Sequence, residues 1–148
     1  MFSVRTPVAG SAVGLAAVPD PVFAEAMVGP GTAVTPNGGS QEAVAPVAGT
    51  VVKLHAHAYV VVGADGRGVL VHLGIDTVNL NGAGFEKLVD EGAEVEAGRP
   101  LIRWNPDEVA ARGLSPIVPV VALDAAADAV SAIAEGAVAV GDPLFQWA

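Results

Sequence analysis

Cysteine is absent from this 148-residue chain. That absence excludes a disulfide scaffold, a cysteine-ligated zinc site and a cysteine nucleophile, and it fits a reducing compartment. Basic residues are scarce, 7 Lys and Arg against 16 Asp and Glu, for a net charge of −9. Such a balance argues against wrapping a nucleic-acid backbone or lying on an anionic membrane, and it suits a basic protein partner. Long hydrophobic runs are missing too: no apolar stretch approaches the roughly 20 residues that a membrane-spanning helix needs. The stretch Pro7–Val18 is apolar enough to suggest a signal-peptide core. Pro7, Gly10 and Gly14 interrupt it, however, and Arg5 is the only basic residue before it. The expectation is therefore a cytoplasmic protein.

What the chain does contain is β-branched residues, with 26 valines spread through it and 52% apolar residues overall. Short runs bounded by Gly, Pro, Asn or Asp predict strands at Thr32–Thr35, Gly49–Leu54, Tyr59–Val62, Val69–Leu73, Leu101–Trp104, Ile117–Leu123 and Ala137–Val140. Helix signals are few. Asn105 is a candidate N-cap with Pro106 in the first turn, and Gly113 is the stop. Alanine enrichment predicts a second helix over Asp124–Glu135, and Phe85–Asp90 reads as a single turn. No linker divides the chain. One domain, residues 1–148, is expected, with an all-β antiparallel sandwich or barrel-sandwich architecture and a few short helices.

An internal duplication supports that architecture. Pro7–Leu15 reads PVAGSAVGL and Pro46–Leu54 reads PVAGTVVKL. A weaker second pair, AGRPLI ending at Ile102 and VGDPLF ending at Phe145, places a Gly-X-Pro turn before a strand. Two similar substructures packed about a pseudo-twofold axis are expected.

All three histidines lie between positions 55 and 72. On a strand His55, His57 and Tyr59 would share one face, and a turn at Gly63–Gly66 would bring His72 back beside them. Three chemistries fit such a cluster. Zinc could be held by His57 and His72 with Asp76, since His55-x-His57 and His72-x-x-x-Asp76 are both legitimate ligand spacings. These elements resemble parts of the lysostaphin-type zinc peptidases, but in reversed order. The second is a biotinyl- or lipoyl-like carrier module, which Ala45–Leu54 resembles. That module needs a lysine at a hairpin tip, and the only lysines are Lys53, in a strand pattern, and Lys87, in the short turn. The third is phosphoryl transfer through histidine, in which a neutral imidazole attacks phosphorus in line, a second donor holds the phosphoryl oxygens and an apolar rim excludes water. The acidic residues Asp90, Glu91, Glu94 and Glu96 lack the spacing of a calcium loop and read as a solvated face.

The block VLVHLGIDTVNLNGAGF, Val69 to Phe85, resembles the active-site signature of the glucose-type IIA components of the bacterial sugar phosphotransferase system. PDPVFAEAMVGPG, Pro19 to Gly31, resembles that family's second characteristic stretch, and APVAG at Ala45–Gly49 and His57-Ala-Tyr59 follow in the family's order. The likeness runs from about Val4 to the end of the chain. It implies a β-sandwich phosphoryl carrier in which His72 accepts phosphate on its ε nitrogen, supported by His57. Phosphate would come from the carrier protein HPr and leave to a cysteine in the IIB domain of a membrane sugar permease. Asp76, Gly74 and His55 would support the phosphoryl site, with Asp76 also meeting the basic face of HPr. Val22, Phe23, Tyr59 and Val78 would form the apolar rim that partners touch. His55 stands where the family usually has a slightly longer loop with a threonine. No cofactor is required, a zinc ion at the His57–His72 pair remaining a candidate. The expectation is a free-standing carrier with no permease segment fused to it.

Overall fold

Valine and threonine lose little side-chain freedom on a pleated surface, and the runs they dominate are extended. The computed structural model describes residues 2–148. Its strands are β1 (Phe2–Arg5), β2 (Gly10–Ala12), β3 (Gly31–Pro36), β4 (Gln41–Val44), β5 (Gly49–Leu54), β6 (Ala58–Val62) and β7 (Gly68–His72), followed by β8 (Glu86–Lys87), β9 (Glu94–Val95), β10 (Pro100–Trp104), β11 (Val118–Ala122), β12 (Val130–Ser131), β13 (Gly136–Val138) and β14 (Pro143–Trp147). Two short helices, α1 (Pro21–Ala24) and α2 (Pro106–Ala111), and two 3-10 turns, Leu15–Ala17 and Thr77–Leu80, join them. The ladders are antiparallel, in one eight-stranded sheet ordered β13-β2-β3-β11-β7-β6-β5-β9 and two three-stranded sheets, β1-β14-β12 and β4-β10-β8.

The duplication is visible in that order. Outward from the centre, β11-β3-β2-β13 mirrors β7-β6-β5-β9, and the repeated segments supply β2 and β5, each one strand in from an edge. The small sheets match as well, with β14 and β10 as their central strands. Hydrogen bonds between the repeats are exchanged reciprocally. Arg5 N–H donates to Pro46 O at 2.9 Å and Val44 N–H to Pro7 O at 3.0 Å, while Thr6 donates to Asp142 O and Ala45 to Arg99 O. A local twofold relation produces such pairs. One unit, β4 to β10, is continuous, and the other is assembled from both ends of the chain.

Between the sheets lies a core that includes Val4, Val34, Val51, Val61, Val71, Leu101, Trp104, Val120 and Phe145, each almost wholly shielded from water. Tyr59 is buried among them and its hydroxyl donates to Val44 O at 2.7 Å. Both tryptophans lie in strands and are buried.

The helix α2 forms where expected: Asn105 accepts from Asp107 N–H at 2.9 Å and Gly113 takes a positive φ just beyond the end. Two helical expectations fail. Over Asp124–Glu135 the chain instead makes turns, with positive φ at Asp124 and Ala132, and enters β12, which pairs with β14. Ala125, Ala129, Val130 and Ala134 pack on the core from there, and that burial outweighs a helix propensity of tenths of a kcal/mol per residue. Near Phe85–Asp90, Glu86–Lys87 is the strand β8, held to β10, and Phe85 stacks on Trp104 with ring centres 6.0 Å apart.

Candidate functional site

The site grows from the β6–β7 hairpin, closed by Gly63 N–H donating to Arg67 O at 3.0 Å. Its register sets Ala58 opposite His72 and Tyr59 opposite Val71. Alternation then turns Tyr59 and Val71 into the core and His72 to the other face of the sheet. Tyr59 is fully buried, so its expected place in the partner-facing rim is wrong. The strand reading behind it also fails locally. His55, Ala56 and His57 are the tight connection between β5 and β6, closed by His55 N–H on Ala58 O at 2.8 Å. Leu73 N–H donates to His57 O at 2.7 Å and ties this connection to the end of β7.

The three imidazoles nevertheless come together. The His57 and His72 rings meet edge-on at 5.1 Å between centres, and His55 stacks on His57 at 5.8 Å. Phe23 closes the opposite side, its ring 5.3 Å from that of His72. Phe23 is only 7% exposed and packs with Ile75, Ile117 and Val121. It is thus a wall of the site rather than the surface rim that was expected. Val22 and Val78 do stand at the surface, 39% and 57% exposed. Sequence reading missed the element that delivers Phe23. The helix α1 starts at Asp20, whose carboxylate accepts from Val22 N–H at 2.9 Å, with Pro21 in the first turn. This is the same cap-then-proline signal that revealed α2.

His72 Nδ1–H donates to Gly74 O at 2.5 Å. That bond selects the tautomer and leaves the lone pair on Nε2. Gly74 can present its carbonyl because φ is 80° there, and its own N–H donates to Ile117 O at 3.1 Å. A Cβ on Gly74 would lie 2.7 Å from Thr77 Cγ2 and 2.9 Å from Ser115 O. The expected result for Gly74→Ala is a loss of about 2 kcal/mol in stability, from the left-handed backbone and the clash together. Urea unfolding checks it; wild-type stability in that variant would show that the loop relaxes freely.

Burial drives both inner histidines toward the neutral form. His72 titrates below its ordinary value chiefly through burial, opposed by the Gly74 hydrogen bond and the carboxylates of Asp20 and Asp76. His57 falls from 6.5 to about 4 through burial, then through the charges of His72 and His55. Between pH 6.5 and 4 the unfolded chain therefore binds a proton at position 57 that the folded chain does not. Stability is fully present above pH 6.5 and declines as the pH falls toward 4. Thermal melts across that range should show a shallower decline for His57→Gln than for wild type; parallel curves would place the pH dependence elsewhere.

Asp76 is exposed, in the left-handed region at φ 61°, and its side chain caps nothing. Among the described residues no group of three or more His, Cys, Asp and Glu converges on a metal position, so a zinc ion at the His57–His72 pair finds no support. Neither lysine crowns a hairpin: Lys53 lies in β5, and Lys87 in β8 rather than a helical turn. A carrier module that modifies a lysine is unsupported as well.

A buried, tautomer-locked imidazole with a second neutral imidazole at its edge is suited to accept and release an electrophilic group. The family of the phosphoenolpyruvate-dependent sugar phosphotransferase system, EIIA 1, matches residues 2–127. The chain belongs to this family. As an EIIA domain it is a phosphoryl carrier of sugar transport. It is 40% identical over 122 residues to a glucose-specific EIIA component of Staphylococcus aureus, covering 81% of this chain and 72% of that protein. An N-acetylglucosamine-specific EIICBA component of Klebsiella pneumoniae is 42% identical over 97% of this chain. The chain spans only 22% of that longer relative's length. Among solved structures, the glucose permease IIA of Mycoplasma capricolum superposes with a TM-score of 0.90 at 32% identity, covering 97% of this chain and 93% of that one. The antiparallel sandwich is thus common to this EIIA domain and a glucose permease IIA.

Proposed function

We propose that His72 is the phosphoryl acceptor and His57 its supporting group. The Nε2 lone pair of His72 attacks the phosphorus of phospho-HPr in line. As the new N–P bond forms, the bond to the HPr histidine breaks, and that imidazole keeps the electron pair. His57 holds the phosphoryl oxygens, and Phe23 with the apolar surface at Val22 and Val78 keeps water away. In the second transfer a cysteine thiolate of a IIB domain attacks the same phosphorus and His72 leaves as neutral imidazole. The net charge of −9, with Asp76 exposed beside the site, favours a basic face on the donor. Asp76 and Gly74 are supporting residues, Gly74 through its carbonyl, and His55 braces His57 by stacking. The work would take place in the cytoplasm; no helix among the described residues is long and apolar enough to cross a membrane. The acceptor sugar system is of the glucose or N-acetylglucosamine kind named for the relatives.

One observation carries this reading: the hydrogen bond from His72 Nδ1–H to Gly74 O leaves Nε2 free beside His57. Incubation with phosphoenolpyruvate, enzyme I and HPr tests it by intact mass. The expected product carries one acid-labile phosphoryl group. Folded protein that gains no mass would discard the carrier assignment.

A further inference from the structure

The two repeats differ at one buried position. Ala12 pairs with Val34 in the first repeat and Val51 with Val61 in the second, so Thr32 of β3 is the counterpart of Tyr59 of β6. The outer ladders agree, with Thr32 opposite Val120 and Tyr59 opposite Val71. Both side chains are fully buried. Tyr59 fills its half and its hydroxyl finds Val44 O, whereas Thr32 is far shorter and its Oγ1 has no hydrogen-bond partner. Beside Thr32 opens a cavity of about 460 Å³, lined by Val13, Leu15, Ile133, Ala134 and Glu135.

The rim carries a second asymmetry. Glu91-Gly-Ala is repeated as Glu135-Gly-Ala. Glu91 accepts from Leu54 N–H at 3.0 Å, but Glu135, beside the matching Leu15, is exposed and makes no ion pair among the described residues. Val13 and Ile133, each 44% exposed, flank the opening.

We propose that this cavity binds a small arylalkylamine. The aromatic ring occupies the space that Tyr59 fills in the other repeat. A hydroxyl on the ring bonds the Thr32 hydroxyl, and the ammonium group pairs with Glu135. The acidic surface of the chain favours a cation at that opening. Nothing in this binding involves the histidines.

Tyramine is the probe, titrated into nitrogen-15-labelled protein and followed by amide shifts. Saturable shifts centred on Leu15, Thr32 and Ala134 are expected, with a Kd of roughly 1 mM, the scale for a ligand of about ten heavy atoms. Phenethylamine, which lacks the hydroxyl, should bind about threefold to tenfold more weakly. Glu135→Gln should weaken tyramine by a similar factor, roughly threefold to tenfold, and leave 4-ethylphenol unchanged. Glu135 is exposed, so its replacement leaves the fold intact. No saturation up to roughly ten times that Kd, shifts centred on the histidines, or unchanged tyramine affinity in Glu135→Gln would each overturn the proposal.

Discussion

His72→Ala is expected to lose phosphoryl acceptance altogether under conditions in which the wild-type protein is fully phosphorylated. The reason is that no other group can substitute. Nδ1 of the same ring is committed to Gly74 O, and the chain has no cysteine. His57 lies 5.1 Å away, ring to ring, and turns an edge toward His72. Loss of a nucleophile from a site whose other groups remain costs on the order of a thousandfold or more in rate. Intact mass after incubation with phosphoenolpyruvate, enzyme I and HPr reads the effect directly. Circular dichroism shows whether the variant is folded, and His72→Gln serves as a second variant that fills more of the space. A folded variant that still acquires an acid-labile phosphoryl group would move the acceptor to another residue, His57 first.

Replacing His57 should separate the two half-reactions. In His57→Gln the amide still offers an N–H to a phosphoryl oxygen, so acceptance from HPr should persist within about tenfold of wild type. Delivery to a IIB cysteine should fall by roughly 10²–10³, the usual cost of losing one well-placed stabilising group in the transition state. The physical distinction lies in charge. Burial and the neighbouring imidazoles hold His57 neutral before transfer, with its pKa lowered to about 4. A phosphoryl dianion on His72 opposes that depression, so the imidazole can strengthen its hydrogen bond as charge shifts toward the departing group. Glutamine has no such response. Rapid-quench measurement of each half-reaction separates them, and delivery at the wild-type rate would remove His57 from the mechanism.

Much of the fold could be read from the chain. The seven predicted strands correspond to strands found between residues 31 and 138, and the duplicated PVAG segments occupy equivalent places in the sheet. The misreadings have a common physical cause. Alanines at Asp124–Glu135 have a helical preference worth tenths of a kcal/mol each, and packing against a core assembled from both ends of the chain overrode it. Tyr59 and His57 were placed on one face because a strand was assumed to run through Ala58. The strand begins only at Ala58, so the parity of the residues before it was not set by pleating. The helix α1 was legible in Asp20-Pro21 but is too short to show a periodicity.

The chemistry of the site was decided locally in the sequence. The histidine cluster, the absence of cysteine, the glycine at position 74 and the acidic balance are properties of residue type and spacing, and they restrict the reactions available before any fold exists. Only the tertiary structure decided which imidazole can act. The tautomer of His72 depends on the Gly74 carbonyl, which is held in place through Ile117, 43 positions along the chain. The depressed titration of His57 depends on burial and on two other rings that meet it only when β5, β6 and β7 are joined. Phe23 reaches His72 because the first repeat makes a long excursion between β2 and β3 where the second makes a tight connection carrying His55 and His57. Nucleophilicity is a property of an environment, and this one is assembled from segments that the sequence keeps far apart.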